Sequence, residues 1–246
     1  MNTYYRFVVA MFAGTFAGCG GSGSSSTIPA TQSAKVRYLD GAPSLEAPID
    51  GTPQDIGTAY LQVDSRTVVS IFGYGSMSSF LPVAAGTHQL VARDTLGYSV
   101  GPIKTTALSP SKSYTLIVVG KYPHYRVLTF EEPASSSNAA LSLYEASPST
   151  TRASFGTFKA STGAGFKQLG SAQFGTLATV SLGKSVTDIG GYAGESSGRL
   201  GEVTPSQISG FDSENVLPFE LQRRLSLFVF DFKGSGTPRV FGSLDL

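Results

Sequence analysis

The feature that most constrains this fold is a series of short strand-like segments with no helical stripe between them. Polar and apolar residues alternate in Lys35–Tyr38 and Gln89–Arg93, whereas Ser113–Val119 and Leu225–Phe232 are largely apolar runs. Alternation with a period of two is typical of a half-buried strand, and a short apolar run is typical of a buried one. No segment repeats apolar residues at helical spacing for about ten residues. The sequence therefore predicts an all-β protein.

Composition agrees with a turn-rich β fold. The chain of 246 residues contains 29 glycines, and 11% of its residues are aromatic while only 14% are charged. Such a chain is long enough to build one large core or two modest ones. We expect Phe72, Tyr74 and Phe80 to fill the interior of a sandwich. Residues 190–217 are rich in glycine and are expected to be irregular.

Internal similarity divides the folded part into two units. Residues 34–44 resemble residues 139–149, and residues 113–133 resemble residues 224–246. Units of about 100 residues with about seven short strands are typical of two-sheet sandwiches. Each unit is expected to fold on its own, unit 2 with the lower stability. The predicted bounds are 34–133 for sandwich unit 1, 134–138 for a linker and 139–246 for sandwich unit 2.

The first unit also resembles a known repeat. The segment AYLQVDSRTVVSIFGYGSMSSFLPVAAGTHQL, residues 59–90, is followed by SYTLIVVG, residues 113–120. This order resembles domain of unknown function 4397, a repeat of exported bacterial proteins that often occurs in tandem and often on lipoproteins. The resemblance covers most of 34–132 and is weaker over 139–246. It implies two tandem immunoglobulin-like β-sandwiches, and the family carries no established catalytic residues.

The amino terminus has the pattern of a secretory signal peptide. Arg6 supplies a basic start, residues 7–18 are apolar apart from glycine and threonine, and small residues end the run. The run is shorter than the roughly 20 residues that a membrane-spanning helix needs. Residues 1–18 are therefore predicted to be a signal peptide.

The signal peptide ends at the single cysteine of the chain. Phe16-Ala17-Gly18-Cys19 resembles the lipobox of bacterial lipoproteins. The resemblance implies that Cys19 becomes the mature amino terminus and carries acyl chains that hold the protein at a membrane. The absence of Asp after the cysteine favours the outer membrane. The alternative is cleavage at another position, which would leave Cys19 as an incidental free thiol.

A flexible tether is predicted to follow the anchor. Residues 19–33 begin with a glycine and serine tract that has little apolar surface to bury. A flexible tether of this length spans about 20 Å on average. The sequence thus predicts a folded body held off a lipid surface.

Charge argues against a nucleic-acid partner. The chain has 18 Lys and Arg against 17 Asp and Glu, and loss of Arg6 with the leader leaves 17 against 17. A neutral chain has no basic field to attract a polyanion. The predicted partners are the membrane, through Cys19, and an unknown envelope protein or glycan.

Two short motifs fit catalytic patterns but lack the context that catalysis needs. Residues 194–198 fit Gly-x-Ser-x-Gly around Ser196, but the triad of an α/β-hydrolase needs a histidine after the serine. His88 and His124, the two histidines of the chain, both precede it. Residues 109–112 fit Ser-x-x-Lys, but a proline within them favours a turn. No catalytic residue is predicted.

No metal or cofactor site is predicted either. Asp50, Asp55 and Asp64 are too scattered for a calcium loop. Glu131 and Glu132 are adjacent on a predicted strand and therefore point to opposite faces, unlike a paired acid and base. The two histidines are far apart in sequence and are expected to be structural or solvated.

The sequence thus predicts a non-catalytic, lipid-anchored protein of the bacterial cell envelope that binds or spaces another envelope component. One alternative is a carbohydrate-binding or adhesin-type surface protein, which exposed Tyr98, Tyr122 and Tyr125 side chains standing together would favour. A second alternative is a secreted hydrolase, which would require a pocket uniting Ser196 with a histidine.

Overall fold

The computed structural model describes most of the two predicted units. The described residues are 32–134, 138–184, 186–195, 198–203, 220–221, 224–232 and 237–245. The predicted lipidation residue Cys19, the tether up to residue 31 and Ser196 lie outside them. The described part is almost entirely β, which confirms the predicted fold class. It contains no helix that is long and apolar enough to cross a membrane.

Ten strands build unit 1, more than the seven expected, and they form two four-stranded sheets and a hairpin. The strands are β1 Ser33–Asp40, β2 Glu46–Ile49, β3 Thr52–Asp55, β4 Ala59–Val63, β5 Arg66–Phe72, β6 Leu81–Ala84, β7 Gln89–Arg93, β8 Ser99–Lys104, β9 Ser113–Lys121 and β10 His124–Glu131. One sheet has the order β10-β9-β1-β6 and the other has the order β5-β4-β7-β8. The hairpin pairs β2 with β3.

The described residues of unit 2 also form ten strands, of which eight form two four-stranded sheets. The strands are β11 Ala139–Glu145, β12 Arg152–Lys159, β13 Ala164–Gln173, β14 Leu177–Gly183, β15 Val186–Thr187, β16 Ile189–Glu195, β17 Gly198–Val203, β18 Glu220–Leu221, β19 Arg224–Asp231 and β20 Pro238–Asp245. The sheets have the orders β14-β11-β19-β20 and β13-β12-β16-β17. The remaining pair is β15 with β18.

The expectation that residues 190–217 are irregular is wrong for their first part, which forms β16 and β17. Glycine weakens a strand pattern because it has no side chain to pack. Here a neighbouring aromatic ring covers the glycine backbone. A Cβ added to Gly190 would lie 2.3 Å from Cζ of Phe158, so only glycine fits beneath that ring. Residues 204–217 lie outside the described part.

Each unit encloses its own apolar core between its two four-stranded sheets. In unit 1, Val36 and Tyr38 of β1 and Leu116 of β9 belong to this core. In unit 2, Leu141 of β11 and Leu227 of β19 belong to the corresponding core. Phe72 lies in the unit 1 core, as the sequence predicts.

A third apolar cluster joins the two units, and we call it the unit interface. Side chains alternate between the faces of a strand, so β1 and β9 turn a second set of residues away from their own core. β11 and β19 of unit 2 do the same. The unit interface consists of the buried residues Leu39, Ile117, Val119, Phe130, Tyr144, Ala146, Phe228 and Phe230. The four sheets therefore stack face to face, and the central strands of the inner two sheets, β1, β9, β11 and β19, are largely buried on both faces.

Candidate functional site

The buried histidine of unit 1 has a structural role. His88 is 6% exposed, and its Nδ1 lies 2.6 Å from Oδ2 of Asp64 while its Nε2 lies 2.8 Å from the carbonyl oxygen of Ala84. These contacts tie the end of β6 to the turn after β4. Burial raises the pKa of Asp64, but hydrogen bonds from the Gln89 N–H and from His88 outweigh it and hold this pKa below its ordinary value.

Replacing His88 by alanine is expected to lower the free energy of unfolding by about 1–3 kcal/mol, because Ala84 and Asp64 lose a buried partner. His124 is exposed, so His124→Ala is the matched control, with a change within about 0.5 kcal/mol.

The lowered pKa of Asp64 makes the effect depend on pH. An acid whose pKa is lowered by folding stabilises the folded state above its ordinary pKa, and this stabilisation is lost as the pH falls through the lowered pKa. The His88→Ala penalty in urea unfolding should therefore shrink as the pH falls below the ordinary Asp pKa of about 4. Equal penalties for both histidines would contradict this role.

The carboxylates singled out in the sequence do not converge. Glu131 is half-exposed and pairs with Lys112, with Nζ and Oε1 2.7 Å apart, whereas the adjacent Glu132 is buried. The two side chains thus lie in different environments, as strand alternation predicts. Within the described ranges, no group of three or more His, Cys, Asp or Glu side chains could hold a metal ion.

The tyrosines of the proposed carbohydrate platform do not stand exposed together. Tyr98, Tyr122 and Tyr125 are all partly buried, and Tyr98 and Tyr125 pack against the unit 1 core. The Tyr125 hydroxyl accepts a hydrogen bond from the Glu46 N–H at 2.7 Å and donates one to the Ser44 carbonyl at 3.1 Å. These contacts anchor the chain before β2. The three tyrosines therefore do not form the exposed group that carbohydrate binding was expected to need.

The most elaborate polar arrangement lies at the unit interface, around the carboxylate of Glu132. Arg37, only 3% exposed, donates from Nη2 to Glu132 Oε1 at 3.3 Å and from Nε to Oγ1 of Thr115 at 2.7 Å. The Thr115 hydroxyl donates in turn to Glu132 Oε1. Both partners of the ion pair have side chains that are 4% exposed. Unit 1 thus buries a charged pair on the face that it turns towards unit 2.

Unit 2 completes this arrangement with two side chains. The Tyr144 hydroxyl donates to Glu132 at 2.9 Å from Oε1 and 2.7 Å from Oε2, and it accepts a hydrogen bond from Arg37 at 3.2 Å. Nη2 of Arg224 donates to Glu132 Oε2 at 2.5 Å. Oε1 of Glu132 therefore accepts from both units, and Oε2 accepts from unit 2. We call Arg37, Thr115, Glu132, Tyr144 and Arg224 the interface network.

Aromatic rings surround the guanidinium of Arg37. Its Cζ lies 5.0 Å from the ring centre of Phe80, 5.4 Å from that of Phe228 and 5.7 Å from that of Tyr144. A guanidinium against aromatic faces is favourable, and more so where water is excluded. Phe80 is 39% exposed, so the expectation that it fills a sandwich core is wrong. Its ring instead covers Arg37 at the edge of the interface.

Tyr74 of unit 1 reaches into unit 2, which corrects the expectation that it fills its own sandwich. Its ring packs edge-on against Phe230 at 5.5 Å and Phe241 at 5.8 Å between centres. Its hydroxyl donates to the carbonyl oxygen of Asp231 at 3.0 Å. Edge-to-face geometry is favourable for aromatic pairs. Tyr74 thus joins the loop after β5 to β19.

The interface network escapes sequence reasoning because its members look ordinary in the chain. Arg37 occupies a polar position in an alternating strand, where a solvent-facing side chain is expected. Glu132 belongs to an acidic pair that reads as a strand end. One sequence signal for a buried interface was available. Leu116–Val119 and Leu227–Phe230 are apolar on both faces, whereas a strand with one solvated face alternates polar and apolar residues.

These features define a class of protein, namely an all-β protein in which two sandwiches share a buried interface. Residues 34–152 match the model of a family described as Domain of unknown function (DUF4397). The matched segment covers unit 1 and extends through β11, so it ends beyond the 34–132 range of the resemblance seen in the sequence. No curated protein matches the chain.

Proposed function

We propose that this chain is a non-catalytic lipoprotein of the bacterial cell envelope, anchored in the outer membrane by acyl chains on Cys19, that presents its joined sandwiches to an envelope protein or glycan. The supporting observation is that the buried histidine and the buried carboxylate of the interface network are engaged in internal contacts. His88 and Glu132 bind neighbouring groups, and within the described part no metal-binding cluster occurs. An esterase or peptidase activity of the purified protein that is lost with Ser196→Ala would overturn the non-catalytic role.

We also propose that unit 2 is a repeat of unit 1. Parallel pairing joins β1 to β9, with Arg37 opposite Thr115, and it joins β11 to β19, with Ser142 opposite Ser226. The four-stranded sheets of the two units have corresponding strand orders. This support is independent of the family match, which ends at residue 152.

Anchoring is tested by replacing Cys19 with alanine. We expect wild-type protein in the membrane fraction and labelled with palmitate, and Cys19→Ala protein in the soluble fraction without label, because two or more acyl chains are needed for stable attachment. Ser25→Ala, in the tether, is the matched control and should behave as wild type. Palmitate incorporation into Cys19→Ala, or a soluble wild-type protein, would refute lipidation at this residue.

The partner is tested by cross-linking the lipidated protein in native membranes. Isolation of the cross-linked species, followed by mass spectrometry and by glycan analysis, distinguishes a protein from a glycan. A partner that is recovered equally with wild-type and Cys19→Ala protein would show that binding does not depend on the anchor.

A further inference from the structure

Three acidic side chains lie at one end of the unit 2 core. Glu145 ends β11, Asp231 ends β19 and Glu195 ends β16. Strand alternation turns all three inward, because Leu143, Val229 and Ala193, each two residues earlier, belong to the core of unit 2. Glu145 is completely buried and Asp231 is 9% exposed. The end of an apolar core thus carries several acidic groups.

The loop after β11 holds two of these carboxylates together. The Ser147 N–H donates to Glu145 Oε1 at 3.0 Å, and the Ser147 hydroxyl donates to Asp231 Oδ1. The Ser149 hydroxyl donates to Asp231 Oδ2 at 2.9 Å. Both oxygens of Asp231 are therefore satisfied. Oε2 of Glu145 is buried and has no hydrogen-bond partner among the described residues.

This geometry disfavours a charge on Glu145. A buried carboxylate without full hydrogen bonding is strongly destabilised, and a second carboxylate nearby adds repulsion. Within the described part, no cluster suited to a metal ion supplies a compensating cation here. A proton is the smallest group that removes the charge without displacing a side chain.

We infer that Glu145 holds a proton in the folded protein and that losing it opens the loop of residues 146–151 that closes this end of unit 2. Ala146, in this loop, belongs to the unit interface, and the Asp231 carbonyl accepts the hydrogen bond from Tyr74 of unit 1. The protonation state of one buried side chain is thereby linked to the contact between the units.

The electrostatic surroundings of Glu145 also favour its protonated form. Burial, chiefly, raises the pKa of Glu145 to about 8; the Ser147 N–H opposes the rise, and the charges of Asp231 on β19 and Glu195 on β16 add to it. An acid whose pKa is raised by folding makes its full contribution to the free energy of unfolding below its ordinary pKa. This contribution is lost as the pH rises through the raised pKa. Stability should therefore fall between about pH 5 and about pH 8.

The test compares wild-type protein with Glu145→Gln in urea unfolding between pH 5 and pH 9, both as the full chain carrying Cys19→Ala. The unfolding constant of wild type relative to Glu145→Gln is expected to rise by up to about tenfold per pH unit and to level off above about pH 8. Glu131→Gln, which removes an exposed carboxylate, is the matched control and should give a flat ratio. Hydrogen exchange of residues 146–151 at pH 8.5 should be faster in wild type than in Glu145→Gln.

A ratio of unfolding constants that does not change with pH would overturn the inference. It would also be overturned if added calcium or sodium stabilised wild type but not Glu145→Gln, because a cation would then balance the charge. If Glu145→Gln does not fold, carboxyl ¹³C NMR of the wild type decides the question. A glutamate titrating well above its usual range supports the proton, and its absence refutes it.

Discussion

Glu132→Ala is expected to lower the free energy of unfolding by about 3–5 kcal/mol, because removing one partner of a buried ion pair leaves the other charge buried without compensation. Arg37 would lose its carboxylate inside the protein, and the Tyr144 hydroxyl would lose its acceptor. Arg224, whose side chain is 17% exposed, would also lose a partner. Urea unfolding at pH 7 measures the effect.

The neighbouring residue provides the matched control. Glu131→Gln removes a half-exposed ion pair with Lys112 and should change stability by less than about 1 kcal/mol. Raising the salt concentration should weaken this small effect and leave the Glu132→Ala penalty nearly unchanged, because buried pairs are screened much less. Equal, salt-sensitive effects at the two positions would mean that Glu132 is solvated and that the interface network does not form.

Phe230→Ala is expected to be equally severe, at about 3–5 kcal/mol, because it leaves a cavity at the centre of the unit interface. Phe230 is fully buried, stacks on Phe241 at 4.2 Å between ring centres and meets Tyr74 edge-on. A Cβ added to Gly41 of unit 1 would lie 3.3 Å from Cβ of Phe230, so the backbones approach closely here. Thermal and urea unfolding both measure the loss.

Leu96→Ala is the control for removing a large apolar side chain, since Leu96 is 80% exposed and should change stability by less than about 0.5 kcal/mol. Limited proteolysis adds a second readout, because loosening the interface should speed cleavage between the units in Phe230→Ala but not in Leu96→Ala. A Phe230→Ala penalty below about 1 kcal/mol would show that the units do not pack together in solution.

The same interface bears on the expectation that each unit folds on its own. A fragment ending at residue 133 would expose Leu39, Ile117, Val119 and Phe130, all at most 3% exposed in the whole protein. Exposed apolar patches of this kind favour self-association. Independent folding stays a prediction, and the packing of the units argues against it.

The sequence predicted the individual strands well but not the packing of one unit against the other. Alternation and apolar runs placed β7 at Gln89–Arg93 and located β9 and β19, because burial of a strand leaves a local pattern. The interface network depends instead on residues far apart in the chain, such as Arg37, Glu132 and Arg224, which local patterns cannot connect. β16 was missed because its glycines have no side chains of their own to pack: a ring from β12 covers Gly190, and leucines of the unit 2 core cover Gly191.

Face-to-face stacking sets the dimensions of the body that the two units form. Sheets pack about 10 Å apart, so four stacked sheets span about 30 Å, close to the roughly 26 Å of an eight-residue strand such as β1. Two sandwiches joined end to end would instead double the long dimension. The second unit therefore broadens the body without lengthening it. In the proposed lipoprotein, height above the lipid would come mainly from the predicted tether, which precedes β1 in one of the two inner sheets. Under the proposed function, this geometry would suit a wide contact surface better than a spacer.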